Sequence, residues 1–343
     1  MSPPPAKQRP ETPPEPKGSR AVDLPGIPAL VVGATRGLGL AIAREYLERG
    51  KPVRVIARDA KAAIKKFGSF TSAQIVEADA SDAEAIAQHA RGCGTIVHTA
   101  SAPLSKWKTH VTPMLEATIE AASKSGCSIL YPGNVWNLGT PSGPIDEDHK
   151  ALPTTRKGAI KQRHEEMLRI AARDKGVRVL IVRAPDYFGP TVRNGLVDRL
   201  FGNAVREKPI EVLGELGAKH QWAYVPDLAR VCVDLLELGE RVGPARIVHF
   251  PGHTVDSQQA FAEMIARAAG WTAPKIKSIA WTGVWAGGLV NKDLFELMEQ
   301  RYLFDEGVFL SSKALPRLLP KFEATPIEQA VAQTVGSYKQ ELR

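Results

Sequence analysis

Residues 28–50 read PALVVGATRGLGLAIAREYLERG, and the order of textures in that stretch decides the fold. A short apolar run suits a buried strand, and Gly33-Ala34-Thr35-Arg36-Gly37-Leu38-Gly39 suits a tight turn. The apolar residues that follow recur at helical spacing until Gly50 stops them. Outward from this unit the alternation continues. VRVIA (53–57), AQIVEAD (73–79), TIVHTA (95–100), SILY (128–131) and VRVLIVRA (177–184) read as strands, with helices expected over 113–125 and 159–173. Strands alternating with helices imply crossover connections and a parallel sheet covered on both faces. The expected fold class is α/β, a doubly wound parallel sheet. Beyond Pro185 the pattern loosens into helices at 198–207, 225–239, 257–270, 293–304 and 326–342, with a short strand at 209–214. This predicts a smaller, mostly helical C-terminal part. The expected division is a Pro-rich tail over 1–27, a nucleotide-binding domain over 28–190, and a substrate-binding cap over 191–343 with interleaved strands returning to the sheet.

Composition narrows the class by exclusion. The 343 residues are 43% hydrophobic and 24% charged, enough to bury a full core without disulfide or metal staples. Lys and Arg number 45 against 37 acids, a formal charge of +8. They are scattered with no long basic block, so no nucleic-acid partner is expected. Cys93, Cys127 and Cys232 lie far apart without a Cys-x-x-Cys pair. That argues against a disulfide framework or zinc site and for a reducing, cytoplasmic location. His149, His220, His249 and His253 have no metal-binding spacing to nearby carboxylates, and no metal is expected. No apolar run reaches the roughly 18 residues a transmembrane helix needs, and the front of the chain lacks a hydrophobic signal core. The Pro-rich tail has too little apolar surface to offset its ordering entropy and is expected to be disordered. It reads either as dispensable or as a ligand for proline-recognising modules.

The glycine turn carries the first chemistry. Between a strand and a helix, glycines let backbone N–H groups approach a pyrophosphate at the helix N-terminus, where the dipole favours an anion. Gly33, Thr35, Arg36, Gly37, Leu38 and Gly39 are therefore candidate dinucleotide-binding residues. An acid at the end of the second strand would take the adenosine ribose and repel a 2′-phosphate. Here that strand ends Ile56-Ala57-Arg58. Arg58 and Arg36 are two cations suited to a 2′-phosphate, so NADP(H) is favoured, with NAD(H) as the other cofactor considered. The alternative is that Asp59 supplies the ribose contact and Arg58 faces solvent. Asp79 is a candidate for the adenine amino group, or else caps the next helix.

The chain resembles the extended branch of the short-chain dehydrogenases/reductases, the NAD-dependent epimerase/dehydratase family. The resemblance rests on the glycine turn, TIVHTASAP (95–103), YPGNVWNLG (131–139), RAPDYFGP (183–190) and WAYVPDLAR (222–230), and runs over roughly 29–340. It implies a Rossmann-type fold. It also implies a Ser or Thr after the fifth strand and a Tyr-x-x-x-Lys on the next helix. There the Tyr would exchange a proton with the substrate oxygen, and the Lys would hold the nicotinamide ribose and lower the Tyr pKa. This sequence departs from that pattern: Asn134 stands at the hydroxyl position and Lys157 at the Tyr position, while Lys161 matches the family lysine. Asn134 can polarise a carbonyl without ionising. Lys157 and Lys161, at i and i+4, are expected to depress each other's pKa, which would let Lys157 act as a general acid. Otherwise both lysines are solvated.

Tyr187 and Ser101, at strand ends, are candidate proton donors, and Tyr131 and His164 are further candidates that also read as packing or surface residues. The segment IAWTGVWAGGLV (279–290), between Lys277 and Lys292, reads as a pocket wall for a large apolar substrate, a membrane-surface contact, or a buried helix. Arg193, Arg199 and Lys219 are cations available to a substrate. Loss of the Tyr would harm an enzyme that must deprotonate a sugar hydroxyl more than one that reduces an activated carbonyl. The expectation is an NAD(P)H-dependent reductase of a carbonyl or conjugated group on a rather apolar, ring-containing metabolite, with a homodimer left open. The alternatives are a nucleotide-sugar epimerase or dehydratase, and a non-catalytic NADP(H) sensor or scaffold.

Overall fold

The computed structural model describes residues 27–342. The expected tail lies outside the described residues, save Ile27, which opens the first strand. In chain order the strands are β1 (Ile27–Val32), β2 (Val53–Ala57), β3 (Ala73–Glu77), β4 (Cys93–His98), β5 (Ser128–Gly133) and β6 (Val179–Arg183). They continue as β7 (Asp186–Phe188), β8 (Ile210–Leu213), β9 (His220–Tyr224), β10 (Ala245–His249), β11 (His253–Val255) and β12 (Ile276–Ile279). The main sheet has seven strands in the order β10-β6-β5-β4-β1-β2-β3, every pair parallel. Its crossovers include α1 (Gly37–Glu48), α2 (Ala60–Phe67), α3 (Ala83–Ala90), α4 (Trp107–Ser125) and α5 (Arg156–Lys175). This is a Rossmann-type α/β architecture.

Alternate residues of β1 enter separate cores, which is why the strand reads as a continuous apolar run. Ala29 and Val31 join the core beneath α1 and the helix Val225–Glu237, whereas Leu30 and Val32 join the one beneath α3, α4 and α5. All four are fully buried. β10 lies far along the chain yet closes the sheet beside β6, and a buried pair fastens that junction. Arg183 Nε donates to Glu165 on α5 at 2.9 Å, and its Nη1 lies 3.2 Å from His249 Nε2 on β10. Smaller ladders, β11-β9-β7 and β12-β8, carry the C-terminal part.

Three expected helices differ. α4 begins at Trp107 rather than 113 and runs through Pro113, which cannot donate to the Thr109 carbonyl. Buried Trp107, whose indole N–H donates to the Ala102 carbonyl at 2.9 Å, anchors the added turns. The span 198–207 is a π-helical turn (Asp198–Gly202) followed by one α-turn, close-packed where Gly202 meets Tyr338. The span 293–304 divides into Lys292–Leu297, a 3-10 turn Met298–Gln300 and Arg301–Asp305. This break falls where Glu296 and Glu299 both turn toward the start of α5.

Candidate active site

Strand order reverses between β1 and β4, which opens a crevice at the carboxyl ends of the strands. The glycine turn lies there, and its glycines are required by close approach. A Cβ on Gly33 (φ +93) would lie 2.6 Å from the Ala100 nitrogen. One on Gly39 would lie 2.3 Å from Thr99 Oγ1 and 2.5 Å from the Gly33 carbonyl oxygen. Thr99 ties the turn to the sheet, its hydroxyl donating to the Val32 carbonyl at 2.8 Å. On the far side the Gly37 N–H donates to the Thr191 carbonyl at 2.8 Å, and the Thr191 hydroxyl donates back to the Gly37 carbonyl at 2.9 Å. α1 has no acid in its first turn and no side-chain cap. First-turn amides such as those of Leu38 and Gly39 have no carbonyl partner in their own helix, so they suit a pyrophosphate.

Thr35 is half-buried beside this turn and Arg36 is exposed. Arg58, just past β2, is also exposed. Asp59 is the N-cap of α2, accepting from the Ala62 N–H at 2.9 Å. Asp79 does not cap α3; Asp82 does, accepting from Ala85 N–H at 3.0 Å. Asp79 instead accepts from the Ser81 N–H at 2.8 Å and from its hydroxyl. Those bonds, aided by the nearby Arg58 charge, hold its carboxyl below the usual range. The cradle thus fits a dinucleotide, with two cations and no free acid directly after β2.

At the other end of the crevice, β5 and α5 bring the catalytic candidates together. The Thr155 hydroxyl caps α5 by accepting from Gly158 N–H at 3.1 Å. Two turns along, Lys161 Nζ donates to the Tyr131 hydroxyl at 2.8 Å and lies 4.7 Å from the centroid of that ring. The Trp107 ring is 5.6 Å away on another side, and Trp107 and Trp136 lie 4.9 Å apart, centroid to centroid. Burial pushes the Lys161 ammonium down to about 8, against the opposing charge of Glu165. Beyond Lys161 the chain of contacts continues. The Tyr131 hydroxyl is 3.0 Å from His164 Nδ1, and His164 Nε2 is 3.0 Å from Thr112 Oγ1. Burial raises the Tyr131 pKa well above its ordinary value and lowers those of His98 and His164 to about 3.

The remaining candidates separate. Lys157 does not depress Lys161: its buried ammonium pairs with Glu296 and lies 3.6 Å from Glu299 Oε1, and Arg156 Nε holds Glu299 at 2.5 Å. It is neither solvated nor directed as an acid beside Lys161. Asn134 accepts from the Trp136 N–H at 3.1 Å, leaving its amide nitrogen as a donor. Tyr187 lies within electrostatic reach of Tyr131, and burial, then Cys232 and Asp186, raise its pKa. Ser101 is exposed, its hydroxyl turned to the Ala102 carbonyl at 3.5 Å. Sequence reasoning missed Thr99, Thr191, Glu296 and Glu299. Of these only Thr99 has a local signal, because it directly follows a strand of the switch point.

Fold and glycine cradle together define a dinucleotide-binding protein of the Rossmann class. More narrowly, the chain belongs to the NAD-dependent epimerase/dehydratase family, whose model matches residues 29–249. It is 26% identical over 212 residues to the uncharacterized protein y4nG of Sinorhizobium fredii, covering 60% of this chain and 52% of that one. The chain thus matches about half the length of that relative. Among solved structures it resembles the dTDP-glucose 4,6-dehydratase DesIV of Streptomyces venezuelae with NAD and TYD bound. The TM-score is 0.74 at 19% identity, over 91% of this chain and 97% of that one. It also resembles UDP-glucuronic acid 4-epimerase of Bacillus cereus in complex with NAD, with a TM-score of 0.74 at 16% identity over 92% and 99%. At such identities these likenesses establish the extended short-chain dehydrogenase/reductase fold.

Proposed function

We propose that this chain is a dinucleotide-dependent enzyme that oxidises, and then transforms, a secondary alcohol of a nucleotide-linked sugar, as epimerases and dehydratases do. The observation that carries the reading is the Lys161–Tyr131–His164 chain of hydrogen bonds. Absence of the motif Tyr argues against a sugar enzyme only if nothing else accepts the hydroxyl proton, and Lys161, with its pKa near 8, is an acceptor. The family membership and the sugar-nucleotide enzymes among the structural relatives support the same reading.

In this reading Gly33, Thr35, Gly37, Leu38 and Gly39 hold the pyrophosphate, Arg36 and Arg58 face the adenosine end, and Lys161 also reaches the nicotinamide ribose. Bound nicotinamide supplies the acceptor, and later the donor, of a hydride at the sugar carbon. Asn134 Nδ2 donates to the reacting oxygen. Neutral Lys161 takes the hydroxyl proton. An N–H of the resulting ammonium donates to Tyr131 O, Tyr131 O–H to His164 Nδ1, and His164 Nε2–H to Thr112, so the ammonium is held by its hydrogen bonds until Lys161 returns the proton to the sugar oxygen. The two arginines favour NADP(H), with NAD(H) accepted. A cytoplasmic homodimer divided near residue 190 completes the proposal.

The test is cofactor titration by fluorescence, followed by incubation with a panel of UDP- and dTDP-sugars read by proton NMR. Epimerised or 4-keto products are expected. Tight cofactor binding with no product from any substrate would instead favour the sensor. The tryptophan pair beside Lys161 favours the reductase as a second reading. Oxidation of NADPH by quinones or cyclic ketones, with the sugars inert, would select it.

A further inference from the structure

We propose that the helical hairpin over 281–297 docks this protein on an anionic lipid surface. The hairpin joins the helix Trp281–Gly288 to the helix Lys292–Leu297. Glycines let the two touch: a Cβ on Gly288 would lie 3.0 Å from Phe295 Cα, and one on Gly287 would lie 3.0 Å from Leu294 Cδ1. The inward side is anchored. Trp281 and Val284 are buried, and the Trp281 indole N–H donates to Asp305 at 2.9 Å. The outward side is apolar and open to water, with Trp285 52% exposed, Leu289 69%, Val290 91% and Phe295 48%. Four of the eight large hydrophobic residues exposed among the described residues fall in this one stretch, so they form a patch rather than random scatter.

Charge identifies the occupant. Residues 280–292, AWTGVWAGGLVNK, contain no acid. Both acids of the second helix are engaged in contacts with the rest of the protein: Asp293 accepts from the Ser105 N–H at 2.8 Å, and Glu296 pairs with Lys157. Around the patch Lys277 on β12, Lys275 just before that strand, Lys292, and Lys106 beside the Asp293 contact are all exposed. An apolar tip with a basic collar complements a lipid surface carrying negative headgroups. A two-fold contact with a second copy would set lysines against lysines. No helix among the described residues is long and apolar enough to cross a membrane, so the contact is one of lying on the surface. The inward side of the same hairpin holds Glu296 against Lys157 on α5. The inference stands independently of the reaction proposed above.

The experiment is flotation of the full chain with vesicles of phosphatidylcholine alone or mixed with phosphatidylglycerol. Binding to the mixed vesicles at low salt is expected, weaker by about ten-fold on phosphatidylcholine alone and in high salt. Trp285→Ser with Val290→Asp should lower binding by about ten-fold or more, while melting temperature and cofactor affinity stay unchanged. Three outcomes would overturn the proposal. They are no flotation of the wild type, equal flotation of the variant, or concentration-dependent self-association that Val290→Asp abolishes.

Discussion

The two ends of the crevice are built from different materials. At the β1 end the groups proposed to bind are backbone amides, and the chain is confined where side chains are missing or small: Gly33 and Gly39 against Thr99 and Ala100. At the β5 end the candidate groups are side chains from α4, β5, α5 and the segment 292–300, brought together only by folding. The first kind of site tolerates little change in sequence because the space is already filled. The second can be rewired, and the proposed site is read that way: Lys157, at the position the resemblance gives to a tyrosine, is committed to an ion pair, while Tyr131 on the neighbouring strand meets Lys161.

The sharpest way to break this contrast is Lys161→Met. Turnover should fall by about a thousand-fold while cofactor affinity changes far less, measured by steady-state kinetics beside fluorescence titration. The pH profile sharpens it. Lys161 accepts a proton only as the neutral amine, so alcohol oxidation should rise with pH through about 8 and then level. Tyr131→Phe removes an acceptor that stabilises the ammonium, so the midpoint should move to lower pH. A purely structural role for Tyr131 would leave it in place. At the other end, Gly39→Val must push against the Gly33 carbonyl and Thr99. Cofactor affinity should drop by roughly a hundred-fold, about the effect of 2.7 kcal/mol. Smaller again is Arg36→Ala with Arg58→Ala. NADPH affinity should weaken by about ten-fold or more, the order expected of lost charge-assisted hydrogen bonds, with NADH almost unaffected. Equal losses for both nucleotides would dissolve the proposed 2′-phosphate contact.

A separate effect falls on stability. His98 and His164 titrate at about 3 in the fold against about 6.5 in the unfolded chain. Between those values the unfolded state binds more protons, so stability should decline as pH falls from about 6.5 toward 3. Thermal melts across that window should show the decline, and His164→Gln should flatten it. An unchanged slope would mean that His164 charges readily in the fold.

How much of this was legible in the sequence follows from the same division. The strand–turn–helix unit and the glycine cradle are local patterns that residues 28–50 display, and the parallel order of the sheet follows from the alternation that continues to residue 184. Lys161 and Asn134 are positioned by spacing from the glycine of YPGNVWNLG and along one helix. By contrast, the fate of Lys157 depends on Glu296 and Glu299, about 140 residues away, and no periodicity announces that meeting. The same holds for Thr191 on the phosphate turn. Tyr131 and His164 were visible as candidates, but their alignment into a chain with Lys161 is set by the packing of α5 on β5. Helix ends failed where one contact overrode a local rule, as Trp107 does for Pro113.

β10 has a consequence for anyone dividing this chain. A fragment ending near residue 190 would retain every glycine of the cradle, yet β6 would become a bare edge, and Arg183 would keep Glu165 but lose His249. Exposed parallel edges invite pairing between molecules. Such a fragment is expected to aggregate when expressed alone, and supplying residues 191–343 as a separate chain during refolding should restore a cofactor-binding species. The last strand of the sheet is Ala245–His249, so a ribosome must make nearly three quarters of these 343 residues before the nucleotide-binding half can close.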